Sequence, residues 1–158
     1  VIAMALACQP KVLLADEPTT ALDVMVQAQI LELLVGLTEE LGLALIMVTH
    51  DLPLVSQVCT RAAVMYAGRI SELGSTSELY HHPLHPYTRM LFGATPDLLA
   101  EREVVSIPGA PPRLDEPIVG CPFRPRCDSA IDACAVSYPP TRTAEPGHSA
   151  ACFVEADA

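Results

Sequence analysis

Apolar positions in the first eighty residues follow two rhythms. Val12 to Ala15 is a continuous apolar run closed by Asp16, Glu17 and Pro18, the pattern of a short strand covered on both faces. Val26, Ile30, Leu33, Leu34, Leu37 and Leu41 then recur at the spacing of one buried helical face, and Gly42 supplies the stop. Leu43 to Thr49 is a second buried run, so strand, helix and strand form a βαβ unit with parallel strands whose carboxyl ends share one edge. His50 therefore lands beside Asp16 and Glu17, at the edge where open α/β sheets hold ligands. Pro18 disfavours the α region for Glu17, which predicts an extended residue there and two carboxylates pointing in different directions.

The flanking elements follow from local chemistry. Val1 to Cys8 is an apolar, Ala-rich helix end broken by Gln9-Pro10-Lys11. Thr20 and Asp23 have capping-box spacing ahead of the long helix, and Asp51 caps a short helix carrying Pro53, Leu54, Val55 and Val58. Ala62 to Tyr66 and Arg69 to Leu73 flank Ala67-Gly68 as a hairpin. Ser75 and Glu78 open a helix that stops at His82-Pro83, and His85-Pro86-Tyr87 opens another over Thr88 to Ala94. Twelve of the fifteen prolines follow residue 80. That shift predicts a domain change near Tyr80, with Pro96 to Gly120 an irregular strap.

With 158 residues and 51% hydrophobic content the chain holds one globular domain and a small second one, and 4% aromatic residues make the core aliphatic. No apolar stretch approaches the roughly 18 residues that span a bilayer. A net charge of −10, with Lys11 the only lysine, excludes a phosphate-neutralising nucleic-acid surface and disfavours anionic lipid. The chain opens on Val1 inside a helix, which reads as a fragment.

Asp16-Glu17-Pro18-Thr19, Ala21-Leu22-Asp23 and Thr49-His50-Asp51, in that order, resemble the Walker B, D-loop and switch-histidine series of ABC-type ATPases. His82-Pro83-Leu84-His85-Pro86-Tyr87 and Gly120-Cys121-Pro122-Phe123-Arg124-Pro125-Arg126-Cys127 resemble the C-terminal extension of the oligopeptide/dipeptide importer subfamily. The resemblance implies an α/β fold: over residues 1–80, the C-terminal part of a P-loop ABC ATPase domain, and over 81–158, a Pro/Cys-rich extension. It implies Mg-ATP as cofactor, with Asp16 holding Mg²⁺ through water and Glu17 polarising the attacking water. His50 is then the γ-phosphate sensor, and Asp23 faces an opposing subunit. Phosphoryl transfer asks the protein mainly for positioned metal, water and charge stabilisation, so one metal-holding carboxylate and one base suit this edge.

The implied partners are transmembrane permease subunits, a second ATP-binding subunit and, indirectly, an extracytoplasmic solute-binding protein, at the cytoplasmic face of the plasma (inner) membrane. A nickel or other small-solute importer is the alternative within this class, and a soluble non-transport ABC ATPase the alternative outside it; the latter ordinarily wants a basic nucleic-acid face. The family's Gly-rich phosphate loop, adenine-binding aromatic, glutamine loop and Ser-Gly-Gly signature are absent from these residues. The isolated chain is therefore expected neither to bind ATP tightly nor to hydrolyse it.

Cys8 and Cys59 sit in apolar helical contexts and read as small buried residues. Cys121, Cys127, Cys134 and Cys152 crowd into a segment too poor in apolar residues for a core of its own, which calls for a staple. Two disulfides are possible by count, but an ATPase acting on cytoplasmic ATP lies where thiols stay reduced, which favours a metal. Four thiolates suit zinc or an iron–sulfur cluster, and their spacing lacks the two-residue gap typical of either. The resemblance favours a 4Fe–4S cluster over zinc. Arg124 and Arg126 are candidates for donors that offset the charge of a cluster but read rather as solvated, and His81, His82, His85 and His148, available as alternative ligands, read rather as surface loop residues.

Overall fold

The computed structural model describes residues 2–20, 22–95 and 105–154. Contacts divide the chain into two compact units, Val1–Val58 and Cys59–Ala158. The proline-rich composition that begins near Tyr80 thus falls inside the second unit.

In the first unit α1 (Ile2–Leu6) precedes β1 (Val12–Asp16), α2 (Val24–Leu41), β2 (Ala44–Val48) and α3 (Leu52–Val58). The strands pair in parallel from Val12 opposite Ala44 to Asp16 opposite Val48, so both chains emerge at one edge. Leu13, Leu34 and Leu43 form the core, with Ile2, Leu6, Ile30 and Leu45 packed against it. Both strands were expected to be covered on two faces. Only one is: Val12, Leu14, Ile46 and Val48 are exposed, because α1 and α2 supply side chains to the other face alone. The buried stripe of α2 is also rotated from the expected one, with Leu31 and Leu34 inside and Val26, Leu33 and Leu41 exposed. A helix that meets only two strands buries a narrower stripe than the apolar spacing offers.

Thr20 and Asp23 do not form a capping box. Asp23 is itself the N-cap, its carboxylate accepting from the backbone N–H groups of Met25 and Val26. Gly42, in the left-handed region at φ 62°, closes the helix as expected.

The second unit begins with β3 (Arg61–Tyr66) and β4 (Arg69–Ser75), joined through Ala67 and Gly68, both at positive φ, as a two-residue type I′ connection requires. α4 (Thr76–His81) carries the full Ser75–Glu78 capping box, and α5 (Pro86–Gly93) follows. Residues 105–120 have no helix or strand; the rest of the expected strap lies outside the described residues. The tail is more regular than its composition promised: after α6 (Ala133–Val136), β5 (Thr141–Glu145) and β6 (His148–Ala151) join the hairpin in an antiparallel sheet of order β3-β4-β6-β5. Alternating threonines and the Pro146-Gly147 turn, with Gly147 at φ 92°, were the local signal.

The tail also borrows a core instead of requiring a staple for one. Phe123 is fully buried between Tyr66 and Tyr87, at ring separations of 5.2 and 5.3 Å, with His85 at 6.0 Å. Glu72, also fully buried, accepts from the backbone N–H groups of Leu84 and His85 and lies 2.8 Å from His148 Nε2. His85 and His148 are therefore interior residues, contrary to the surface positions expected. Glu72, the partner they share, lies 13 residues from His85 and 76 from His148 along the chain, out of reach of any local pattern.

Candidate active site and cysteine cluster

The carboxyl edge of the β1–β2 pair carries the acidic motif. Asp16 is the last residue of β1 and is exposed. The next backbone N–H, that of Glu17, still donates to Val48 O at 2.8 Å, which fixes Glu17 beside the end of β2. Glu17 is not extended: at φ 47° it occupies the left-handed region. Pro18 excludes the right-handed α region for its predecessor but not this one, and the ladder bond before it and the Thr20 N–H to Glu17 O turn after it hold the strained geometry.

That turn presents the carboxylate to two partners. Thr20 Oγ1 donates to Glu17 Oε2 at 2.6 Å, and His50 Nδ1 lies 2.7 Å from Glu17 Oε1. The βαβ reading that brought His50 to this edge is met, over a separation of 33 residues. Hydrogen bonding from Thr20, then from His50, holds the Glu17 carboxyl below the usual carboxylate range, and the Glu17 carboxylate raises the His50 imidazole. The pair stays open to solvent, with side chains 83% and 38% exposed for His50 and Glu17. A carboxylate with both oxygens engaged is a poor base until one partner leaves, and most of the His50 surface is free.

Two contacts sequence reasoning missed brace this edge. Thr20 orients Glu17 where a cap for α2 had been expected. Gln27, in the first turns of α2, donates to Asp51 Oδ2 at 3.3 Å, tying the segment after His50 to the helix that Asp23 caps. Asp51 also accepts weakly from the Leu54 N–H at 3.4 Å, in the expected capping role for α3.

The four tail cysteines are neighbours in the second unit. The Cys121 N–H donates to Cys134 O at 2.8 Å. Burial pushes the thiols of Cys121, Cys127 and Cys152 up, and each is opposed by backbone N–H donation from residues just downstream: Phe123 and Arg124, Ser129, and Val154 and Phe153. Cys134 and Cys152 act on Cys121, and Cys152 and Cys121 on Cys127. Among the described residues, however, no three His, Cys, Asp or Glu side chains are arranged to hold one metal ion. The cysteines are gathered without forming the closed ligand set expected from the sequence.

Gly120 lets the first of them approach: at φ 76°, a Cβ there would lie 2.3 Å from Cys134 O. Arg126 is not solvated as expected, since it donates to Pro108 O, Ile107 O and Tyr66 Oη. Arg89 holds Asp128, next to Cys127, at 2.9 Å. Cys8 is exposed and Cys59 half-buried, so only the second approaches the interior position expected of both.

The first unit is thus a parallel βαβ pair with Asp16, Glu17 and His50 at its carboxyl edge and Asp23 capping the crossover helix, an arrangement in keeping with part of an ABC-type ATPase domain. Comparisons agree. Residues 71–134 match the family model for the oligopeptide/dipeptide transporter C-terminal region. The chain is 51% identical to a probable peptide ABC transporter ATP-binding protein of Sinorhizobium fredii, over 96% of this chain and 46% of that protein. It is 52% identical to the oligopeptide transport ATP-binding protein OppD of Escherichia coli (96% and 45%) and 46% identical to the dipeptide transport ATP-binding protein DppD of Bacillus subtilis (98% and 47%). Among solved structures, cbiO1 of Clostridium perfringens, part of an ABC transporter complex, matches 51% of this chain and 32% of its own at 41% identity, with a TM-score of 0.48. The chain belongs to the ATP-binding proteins of oligopeptide and dipeptide ABC transporters, and it spans about half the length of the curated relatives it matches.

Proposed function

We propose that this chain serves as the hydrolytic half of an ATP-hydrolysing, energy-coupling subunit of an ABC importer for oligopeptides or dipeptides. The subunit sits at the cytoplasmic face of the plasma membrane, bound to transmembrane permease subunits and closing on a second ATP-binding subunit. Residues 1–80 carry the ATPase chemistry and 81–158 the extension. The observation that supports this reading best is the Glu17–His50 contact at the β1–β2 edge.

In this reading Asp16 would hold Mg²⁺ through water: a single exposed carboxylate at a strand end fits that ion, which when bound would supply charge neutralisation for the transferred group. Glu17 polarises the attacking water, and Thr20 holds its carboxylate in place. His50 turns from Glu17 to the γ-phosphate. Its departure removes a hydrogen bond that lowers the Glu17 proton affinity, so nucleotide engagement and base strength rise together. Asp23 keeps its helix cap while facing the opposing subunit.

For the tail we propose a 4Fe–4S cluster on Cys121, Cys127, Cys134 and Cys152, with zinc the alternative. Four neighbouring thiols with backbone N–H donors at three of them support it, and the absence of a closed ligand set among the described residues stands against it. Anaerobically purified protein is expected to contain iron and sulfide in equal amounts with a broad visible absorption; iron-free, zinc-free protein overturns both versions.

The transport reading is tested by a hybrid in which this chain replaces the matching half of the Escherichia coli relative. Cells lacking that relative and expressing the hybrid should take up a labelled tripeptide, and the hybrid should co-purify with the permease subunits. A hybrid that folds, binds the permease and supports no peptide uptake would contradict it.

A further inference from the structure

A cavity of about 650 Å³ opens in the second unit, remote in sequence from the acidic motif and lined from the hairpin turn, the irregular segment and the end of α6. Its volume lies in the range of small-ligand sites, roughly 300–1,000 Å³. The walls include Leu114, Val119 and Val136, which are 70%, 75% and 76% exposed. Three large aliphatic side chains left in water around one hollow are a concentrated apolar surface for so polar a tail.

Two charges of opposite sign share the lining. The Arg69 guanidinium is stacked on the Tyr138 ring with its carbon 4.4 Å from the centroid, and the Tyr138 hydroxyl donates to Ile70 O at 3.3 Å, which holds the ring in place. Stacking uses the face of the guanidinium and leaves its in-plane N–H groups without an acceptor among the described residues. The second charge is Glu116, whose only partner there is the exposed Arg113, at 3.5 Å three residues away.

An oriented, uncommitted guanidinium selects a carboxylate, which it binds through paired charge-assisted hydrogen bonds. Glu116 selects an ammonium group, and the walls select aliphatic side chains. We propose that this cavity binds a zwitterionic aliphatic ligand, a short peptide, with its terminal carboxylate on Arg69, its ammonium toward Glu116 and its side chains against Leu114, Val119 and Val136. The site needs neither nucleotide nor the Glu17 edge, so it can fail while ATP turnover stands, and the reverse.

Titration of the protein with leucyl-leucine, followed by NMR at the Arg69 Nε–H and the Tyr138 ring, tests the proposal. Saturable shifts at both are expected. The C-terminally amidated dipeptide should bind about tenfold more weakly or worse, because it lacks the charged acceptor, and Arg69→Gln should weaken leucyl-leucine equally with its melting temperature unchanged. Free leucine tests the other source of the same chemistry and is expected to bind more weakly, since it fills less of the wall. Absence of saturable shifts with leucyl-leucine up to its solubility limit, or equal affinity for the amidated dipeptide, overturns the proposal without recourse to any variant.

Discussion

Glu17 carries two unusual burdens at once, a left-handed backbone and a carboxylate with both oxygens engaged. Its bond to His50 has a definite pH window. The pairing is lost as pH falls through the lowered Glu17 titration and as pH rises through the raised His50 titration, and it is complete between them. An NMR titration of the His50 ring should therefore give a midpoint above the usual imidazole range, and Glu17→Gln should bring it down. An unchanged midpoint in that variant would show that the two side chains do not meet. The acidic motif and His50 were legible in the sequence because strand order alone brings them to one edge. The Glu17 conformation was not, since it depends on backbone bonds to Val48 and Thr20 that no propensity of a Glu-Pro pair encodes.

At the scale of elements, caps with local partners were readable and caps with competitors were not. The Ser75–Glu78 box needs only four residues and forms as written, whereas Thr20 is drawn away to Glu17 and leaves Asp23 to cap α2 alone. The start of α5 depends on a titratable cap: His85 Nδ1 accepts from the Tyr87 N–H, which requires a neutral ring. Burial, opposed in part by Glu72, pushes the His85 imidazole down to about 4. The unfolded chain takes up this proton near the ordinary pKa and the folded chain only near 4, so stability is full at neutral pH, falls from about pH 6.5 downward and levels off below 4. Over the whole of that span the loss attributable to His85 is roughly 3–4 kcal/mol, at about 1.4 kcal/mol for each pH unit between the two titrations. Urea unfolding at pH 7 and pH 4.5 measures it. His85→Asn, which keeps a cap acceptor without the titration, should flatten the difference, and an equally steep dependence in that variant would assign it elsewhere.

The whole molecule is two units built on different principles. The first is a βαβ layer whose apolar periodicity dictates it. The second is a sheet of four strands in which local pattern placed the hairpin, while the tail strands and the buried Glu72–His148 pair emerge only from long-range closure. Composition misled there: too few apolar residues in the cysteine segment suggested no core of its own and a low aromatic content an aliphatic one, yet Tyr66, Tyr87 and Phe123 meet in one nest and supply it. Phe123→Ala should consequently cost about 3–5 kcal/mol of second-unit stability, as for other buried aromatic truncations. Tyrosine fluorescence can follow its unfolding, because the chain lacks tryptophan. A loss under about 1 kcal/mol would mean that the tail is held by something other than this nest.

The central claim is that the β1–β2 edge hydrolyses ATP when completed by a phosphate-binding half. Steady-state Mg-ATP turnover by the hybrid with the Escherichia coli relative, compared with its Glu17→Gln variant, tests it most directly. The account predicts turnover in the hybrid and a loss of about a hundredfold or more in the variant, the scale of a positioned general base. A Glu17→Gln hybrid that folds and turns over ATP at the unsubstituted rate would contradict it.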